Sequence, residues 1–306
     1  MEKILVFGHK NPDTDTICSS IALAELQKTL TGKEIEPVRL GELNKETQYA
    51  LNCFEIGTPR IIEKIEEGQA VMLVDHNEFV QSVEGIENAK IKMVVDHHKI
   101  ANFVTSEPLY YFAEPVGCTA TVLYGLYKRN NVEIEKRIAG LMLSAIISDT
   151  LLFKSPTCTK TDVEAADELA KIAEVDKETY GLEMLKAGTE LSGYTEKELL
   201  YLDAKKSEKN GVKYMVAQVN TVSIEDVLAR KEKIEQAINE AIEVENVDVC
   251  LFVITDIVNS NSKGIVLGNR ADIVTKAFKE EENNIVDMPG VVSRKKQVIP
   301  FIEANI

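Results

Sequence analysis

The four histidines of this chain each follow an apolar, β-like run, and each has an aspartate close by in sequence. The runs are Lys3 to His9, Ala70 to His76 and Ile91 to His98; Asp13 and Asp15 come just behind His9 in Gly8-His9-Lys10-Asn11-Pro12-Asp13-Thr14-Asp15-Thr16. Short Val/Ile/Leu/Met runs bounded by breakers predict buried parallel strands. Open α/β sheets bind ligands beyond the carboxyl ends of their strands. All four imidazoles and several carboxylates are therefore expected at one sheet edge. Mixed imidazole and carboxylate donors suit divalent metals, and here they outnumber what one ion needs.

Taken singly, these residues have plainer readings. Asp15 or Thr14 could cap a helix beginning near Thr16, with Pro12 fixing the turn. That accounts for neither His9 nor Asp13. Asp75-His76-Asn77 ends a strand, where loops are polar anyway. In Asp96-His97-His98 the adjacent imidazoles cannot both be core residues, because successive side chains diverge. Asp149 ends an apolar helix, where anions are disfavoured, and a metal opposite it would remove the repulsion. Gly117-Cys118-Thr119-Ala120-Thr121 opens a helix whose N-terminus could hold an anion. Neither a Walker sequence nor Gly-x-Gly-x-x-Gly is present, so nucleotide binding lacks support. Arg294-Lys295-Lys296 reads as a charged edge strand or as a phosphate grip. Lys205 reads alone as a surface lysine.

With 306 residues and a formal net charge of −15, the chain is acidic. This argues against nucleic-acid or anionic-membrane binding through a broad basic face. None of the five cysteines forms a Cys-x-x-Cys pair, which favours reduced thiols over a disulfide framework. Met1-Glu2-Lys3 leads into a strand without a basic and apolar leader, and no apolar run approaches a membrane span. A cytoplasmic location is expected.

The elements that must position these residues alternate. Strands are predicted at 3–7, 35–40, 70–75, 91–96 and 109–113, and helices at 16–30, 118–130, 134–148, 161–173 and 176–186. This is an α/β pattern, a mostly parallel sheet with helices on both faces. Periodicity fails around Gly188 to Gly193. The expected division is a metal-binding domain at 1–187, a hinge at 188–194 and a smaller α/β domain at 195–306. The second domain should hold strands at 213–219, 248–254 and 264–268, a long helix at 224–244 and a shorter one at 272–281.

Asp96-His97-His98, preceded by Gly-His-x-x-Pro-Asp-x-Asp and Val-Asp-His, resembles the signature of the DHH phosphoesterases. Together with Val74 to Glu78, Ser148-Asp149-Thr150 and Ser293-Arg294-Lys295-Lys296-Gln297, the chain is similar over its full length to the family II, manganese-dependent inorganic pyrophosphatases, including a DHHA2-type C-terminal domain. The resemblance implies two Mn²⁺ ions per subunit, with Co²⁺ an alternative and Mg²⁺ accompanying the substrate. His9, Asp13 and Asp75 would hold one ion; Asp15, Asp75, His97 and Asp149 would hold the other. His98 would face the substrate as hydrogen-bond donor or proton source, and Asn77 would lie near the first ion. Arg294, Lys295 and Lys205 would bind phosphate, with Lys296 the alternative if the register shifts by one. The implied reaction is hydrolysis of inorganic pyrophosphate by a dinuclear-metal-activated hydroxide, with closure of an interdomain cleft. A homodimer through the N-terminal domain is implied as well.

The rival readings are a DHH-type exopolyphosphatase, an oligonucleotide phosphodiesterase and a non-enzymatic phosphate- or metal-binding regulator. The phosphodiesterases of this superfamily usually carry a Gly-Gly-Gly-His element, which is absent here. Intact residues at every matched ligand position argue against a regulator.

Overall fold

The apolar runs beginning the chain form strands with no exposed residue: β1 (Ile4–Phe7) and β3 (Ala70–Val74) are buried throughout. With β2 (Ile35–Pro37), β4 (Lys90–Asp96) and β5 (Tyr110–Ala113) they make a five-stranded sheet ordered β2-β1-β3-β4-β5. Every pairing in it is parallel. The strand order reverses between β1 and β3. Such a switch point opens a crevice at the carboxyl ends of those two strands, where His9 and Asp75 lie. The computed structural model describes residues 3–280 and 283–306. The chain divides into two units, the first ending at Gly188 and the second beginning at Thr189.

Among the described residues, six α-helices belong to the first unit: α1 (Thr14–Thr31), α2 (Lys45–Cys53), α3 (Thr119–Arg129), α4 (Lys136–Thr150), α5 (Lys160–Ala173) and α6 (Lys177–Gly188). Helix α1 is buried continuously from Thr14 to Ala24, with the polar Thr14, Asp15, Thr16, Ser19 and Ser20 buried alongside its apolar residues. It packs against β1, β2 and β3 and against α2, α3 and α4. Helix α4 is nearly as buried, and Gly140 lets Phe54 lie against its backbone. A Cβ at Gly140 would stand 2.2 Å from Phe54 Cε1. The sequence pattern did not predict α2, because it buries only Thr47, Ala50 and Leu51. Strand β2 is shorter than predicted and ends at Pro37, on an outer strand where proline is tolerated.

The second unit contains α7 (Glu196–Leu202), β6 (Ala204–Lys209), β7 (Val212–Thr221), α8 (Ile224–Leu228), α9 (Lys231–Glu245), β8 (Val249–Asp256), β9 (Asn261–Leu267), α10 (Ala271–Ala277), β10 (Lys279–Glu280), β11 (Ile285–Met288) and α11 (Ile299–Glu303). Its sheet runs β10-β11-β9-β8-β7-β6, with β7 and β8 parallel and the other pairs antiparallel. One sheet face packs under residues of α7, α8 and α9, the other under residues of α10 and α11. The single helix expected at 224–244 is two. The break falls at Ala229-Arg230, where the Arg230 guanidinium turns to Glu196 and to the carbonyls of Leu191 and Tyr194. The helix expected at 272–281 stops at Ala277, since Phe278 is extended; residue 281 lies outside the described residues. Arg294–Val298 is a π-helical turn leading into α11, not an edge strand. Among the described residues no helix is long and apolar enough to cross a membrane.

Candidate metal centre

The site begins with a glycine. Gly8 follows β1, and a Cβ there would stand 2.4 Å from Thr16 Cγ2. Only glycine lets the first turn of α1 come so near. The Thr16 hydroxyl thereby reaches Asp75, donating to Oδ2 at 2.6 Å. The cap of α1 is Asp13, whose Oδ1 accepts from Thr16 N at 2.9 Å; this corrects the assignment to Asp15 or Thr14. Asp15 points inward instead. It is fully buried and accepts from the Ser19 hydroxyl at 2.6 Å and from the backbone of Thr119 and Ala120 at 2.7 and 3.2 Å. The anion at the start of α3 is therefore the protein's own Asp15 carboxylate.

Asp75 follows β3 with φ of 58°, in the left-handed region that costs a non-glycine residue energy. Its two oxygens face two different histidines: Oδ2 lies 3.4 Å from His9 Nε2, and Oδ1 lies 3.4 Å from His97 Nε2. His9 Nε2 is also 3.4 Å from Asp13 Oδ2, and His97 Nε2 is 3.8 Å from Asp149 Oδ2. The other nitrogen of His97 sits 3.1 Å from the Val116 carbonyl. This fixes the ring so that Nε2 faces the carboxylates.

Two observations test whether these residues fit metal ions. Around an ion with bonds of about 2.1 Å, neighbouring ligand atoms lie about 3–3.5 Å apart. Most of the imidazole–carboxylate separations fall there, beyond the usual hydrogen-bond length. Donor atoms of His9, Asp13 and Asp75 cluster together, as do those of Asp15, His97 and Asp149, and those of Asp75, His97 and His98. The second observation is charge. Burial, then the charges of Asp15, Asp13 and Asp75, push the Asp149 carboxyl well above its ordinary range. Burial and Asp75 push Asp15 up to about 6. Burial opposes protonation of His9 and His97, yet the carboxylates outweigh it: Asp13 and Asp75 hold His9 at about 11, and Asp75 holds His97 at about 9. Asp13, Asp15 and Asp75 thus draw protons onto two imidazoles, Asp149 is pushed to keep its own, and the field calls for cations. The residues fit divalent metal, and Asp75 belongs to two of the three candidate groups.

The remaining predicted residues divide. His98 Nδ1 lies 2.9 Å from Asp96 Oδ1 and 3.7 Å from Asp75 Oδ1. The His97 and His98 rings do not diverge: they meet edge to face with centroids 4.2 Å apart. Both lie past the end of β4, where strand alternation no longer applies. Asn77 is buried, donating to Asp96 Oδ2 at 2.7 Å and to the Lys99 carbonyl at 3.0 Å, and accepting from Ala101 N at 2.9 Å. His76 does not join the other imidazoles. It is buried with Nδ1 2.9 Å from the Val74 carbonyl, and burial pushes it down to about 4. In the second unit Arg294 pairs with Asp203 at 2.8 Å, and its backbone N–H donates to Gln218 at 3.1 Å. Lys295 and Lys205 are exposed. The hydroxyls of Thr16 and Thr119, which donate to Asp75 at 2.6 and 3.2 Å, had no signal in spacing or periodicity. Nor did Glu46, which accepts from Thr14 at 2.7 Å and from Ser148.

The chain thus has a parallel sheet with candidate metal ligands at its β1/β3 switch point, followed by a mixed-sheet unit. The DHH family, N-terminal domain, matches residues 3–146, and the DHHA2 domain matches residues 182–305. The manganese-dependent inorganic pyrophosphatase of Bacillus subtilis (strain 168) is 58% identical over 304 residues, covering 99% of this chain and 98% of its own. The crystal structure of a Methanococcus jannaschii protein assigned to the family II inorganic pyrophosphatases superposes with a TM-score of 0.81 at 40% identity, covering 99% of each chain. An exopolyphosphatase-related protein of Bacteroides fragilis shares the fold, with a TM-score of 0.50 at 14% identity over 99% of this chain and 91% of its own. The chain belongs to the family II, manganese-dependent inorganic pyrophosphatases.

Proposed function

We propose that the chain hydrolyses inorganic pyrophosphate to two phosphates at a dinuclear manganese centre. The observation that carries this reading is Asp75, whose two oxygens each stand 3.4 Å from a different histidine. That is the arrangement of a carboxylate shared between two ions. His9, Asp13 and Asp75 would hold one Mn²⁺, and Asp15, Asp75, His97 and Asp149 the other. Bound there, the pair supplies Lewis acidity at phosphoryl oxygens and lowers the pKa of water. Imidazole donors favour Mn²⁺ or Co²⁺ over Mg²⁺, which arrives more naturally with the substrate.

The chain's own groups complete the reaction. Asp96 holds His98 Nδ1, so Nε2 is the ring atom that can pass a proton to the departing phosphate. Asn77 fixes Asp96 and the loop at Ala101, and so acts by positioning. Arg294 and Lys295, with Lys205, supply charge for the phosphate, Arg as a fork and Lys as a point. The family resemblance of Ser293 to Gln297 supports that assignment. The outer strand β5 leaves Tyr110 67% exposed, an edge suited to pairing with a second copy in a homodimer. The five unpaired cysteines suit a reducing cytoplasm.

Phosphate release with Mn²⁺ from pyrophosphate, tripolyphosphate and a dinucleotide, compared side by side, tests the reading. Pyrophosphate should be turned over fastest by a wide margin. Preference for tripolyphosphate or the dinucleotide would replace it with an exopolyphosphatase or a phosphodiesterase.

A further inference from the structure

One segment of the first unit touches most of the second ligand group without supplying a ligand. The Val116 carbonyl lies 3.1 Å from His97 Nδ1. Thr119 N and Ala120 N donate to the two oxygens of Asp15 at 2.7 and 3.2 Å, and the Thr119 hydroxyl donates to Asp75 Oδ1 at 3.2 Å. Gly117 is pressed against Thr150, the neighbour of Asp149: a Cβ on it would lie 3.0 Å from Thr150 Cγ2. Among the described residues none of the hydrogen bonds of residues 116–120 goes to His9 or Asp13.

What fastens this segment is Asp162, a fully buried carboxylate in the first turn of α5. Its Oδ2 accepts from Gly117 N at 2.9 Å, from Thr159 N at 2.7 Å and from the Thr159 hydroxyl at 2.6 Å. Its Oδ1 accepts from the Thr121 hydroxyl at 2.6 Å. Asp162 thus helps close a capping box on α5 with two of these bonds and clamps the start of α3 with the other two. The fit leaves no room for a larger residue, since a Cβ on Gly117 would stand 2.8 Å from Asp162 Oδ2. A cap alone needs only the Thr159 bonds; those to Gly117 and Thr121, 45 and 41 residues away in sequence, serve the segment.

We propose that Asp162 is a positioning residue for one metal of the pair: through residues 116–121 it orients His97 and Asp15 and sets the affinity of the second ion site, with a smaller effect on that of His9 and Asp13, which the segment reaches only through the shared Asp75. The proposal rests on the two-ion reading for the grouping of ligands. A carboxylate that accepts four hydrogen bonds cannot be matched by an amide, which has a single acceptor oxygen. Partners beyond the ligands of a metal site are typically worth about 10- to 100-fold in metal affinity.

The test is a Mn²⁺ binding isotherm on the metal-stripped full chain, with free Mn²⁺ read by electron paramagnetic resonance. Wild type, Asp162→Asn and Thr121→Val are compared, and far-ultraviolet circular dichroism checks folding. The second variant removes one bond and keeps the cap, so it serves if Asp162→Asn does not fold. One of two binding steps should weaken, by about 10- to 100-fold in Asp162→Asn and by less in Thr121→Val. Equal weakening of both steps, or no change in a folded variant, would overturn the role of Asp162. Wild-type phosphate release is measured alongside. Two intact Mn²⁺ steps without pyrophosphate hydrolysis would discard the substrate assignment while leaving the Asp162 result readable.

Discussion

Asp75 carries the residue-scale argument, because two histidines meet it on opposite oxygens. Asp75→Ala should remove the shared ligand of both ions, so Mn²⁺ content should fall and pyrophosphate hydrolysis collapse. Metal analysis of the purified variant checks this, and full Mn²⁺ occupancy with normal turnover would remove Asp75 from the centre. The adjacent histidines should separate. His97 has its second nitrogen at the Val116 carbonyl and its first toward Asp75 and Asp149, whereas His98 is tied to Asp96. His97→Gln should therefore lose more Mn²⁺ affinity than the about 10- to 100-fold typical of a partner beyond the ligands, with His98→Gln changing turnover far more than affinity. Equal losses of affinity would reject that division. The candidate ligand types and their gathering beyond β1, β3 and β4 were legible from the sequence, because Asp and His recur at the ends of those strands. The fourth histidine was not: His76 follows a strand as the others do, but its ring turns back to Val74, and spacing carries no information on rotamer. The adjacent histidines are not both core residues, as expected, but their rings meet instead of diverging, because strand alternation ends with the strand.

At the scale of elements, the strongest apolar runs and longest amphipathic helices were readable, and polar elements were not. Strand β6 is charged at four of six positions, and α2 buries three residues, so neither leaves an apolar pattern. The break between α8 and α9 depends on where the Arg230 guanidinium finds its acceptors, which is a tertiary matter. Close approaches were equally invisible. Helix α4 admits Phe54 at Gly140, where a Cβ would meet three ring carbons at 2.2 to 2.3 Å. Gly140→Ala should destabilise the first unit by about 1–3 kcal/mol, the range for overpacking a filled core. Denaturant unfolding measures it. Mn²⁺ affinity of the folded protein should stay near wild type, since Phe54 and Gly140 supply no ligand. A neutral Gly140→Ala would mean that Phe54 yields freely and that the packing here is looser than drawn.

For the whole molecule, the division of labour is chemical: every proposed metal ligand belongs to the first unit, and the proposed phosphate cations belong to the second. Arg294→Ala and Lys295→Ala should lower pyrophosphate turnover with little change in Mn²⁺ affinity. Loss of one donor acting in the transition state costs about 3 kcal/mol, roughly a hundredfold in rate. Lys28→Ala, at an exposed lysine 3.6 Å from Glu25, is the control and should stay near normal; if the first two variants matched it, the Arg-Lys turn would be only a charged surface. The central claim is that two ions share Asp75 and act together on pyrophosphate. Its most direct test is stepwise return of Mn²⁺ to the metal-stripped full chain, with pyrophosphate hydrolysis followed at each addition. Activity should follow occupation of the second site and reach its maximum near two ions per chain. Full activity at one bound ion, or binding that stops at one, would contradict the account.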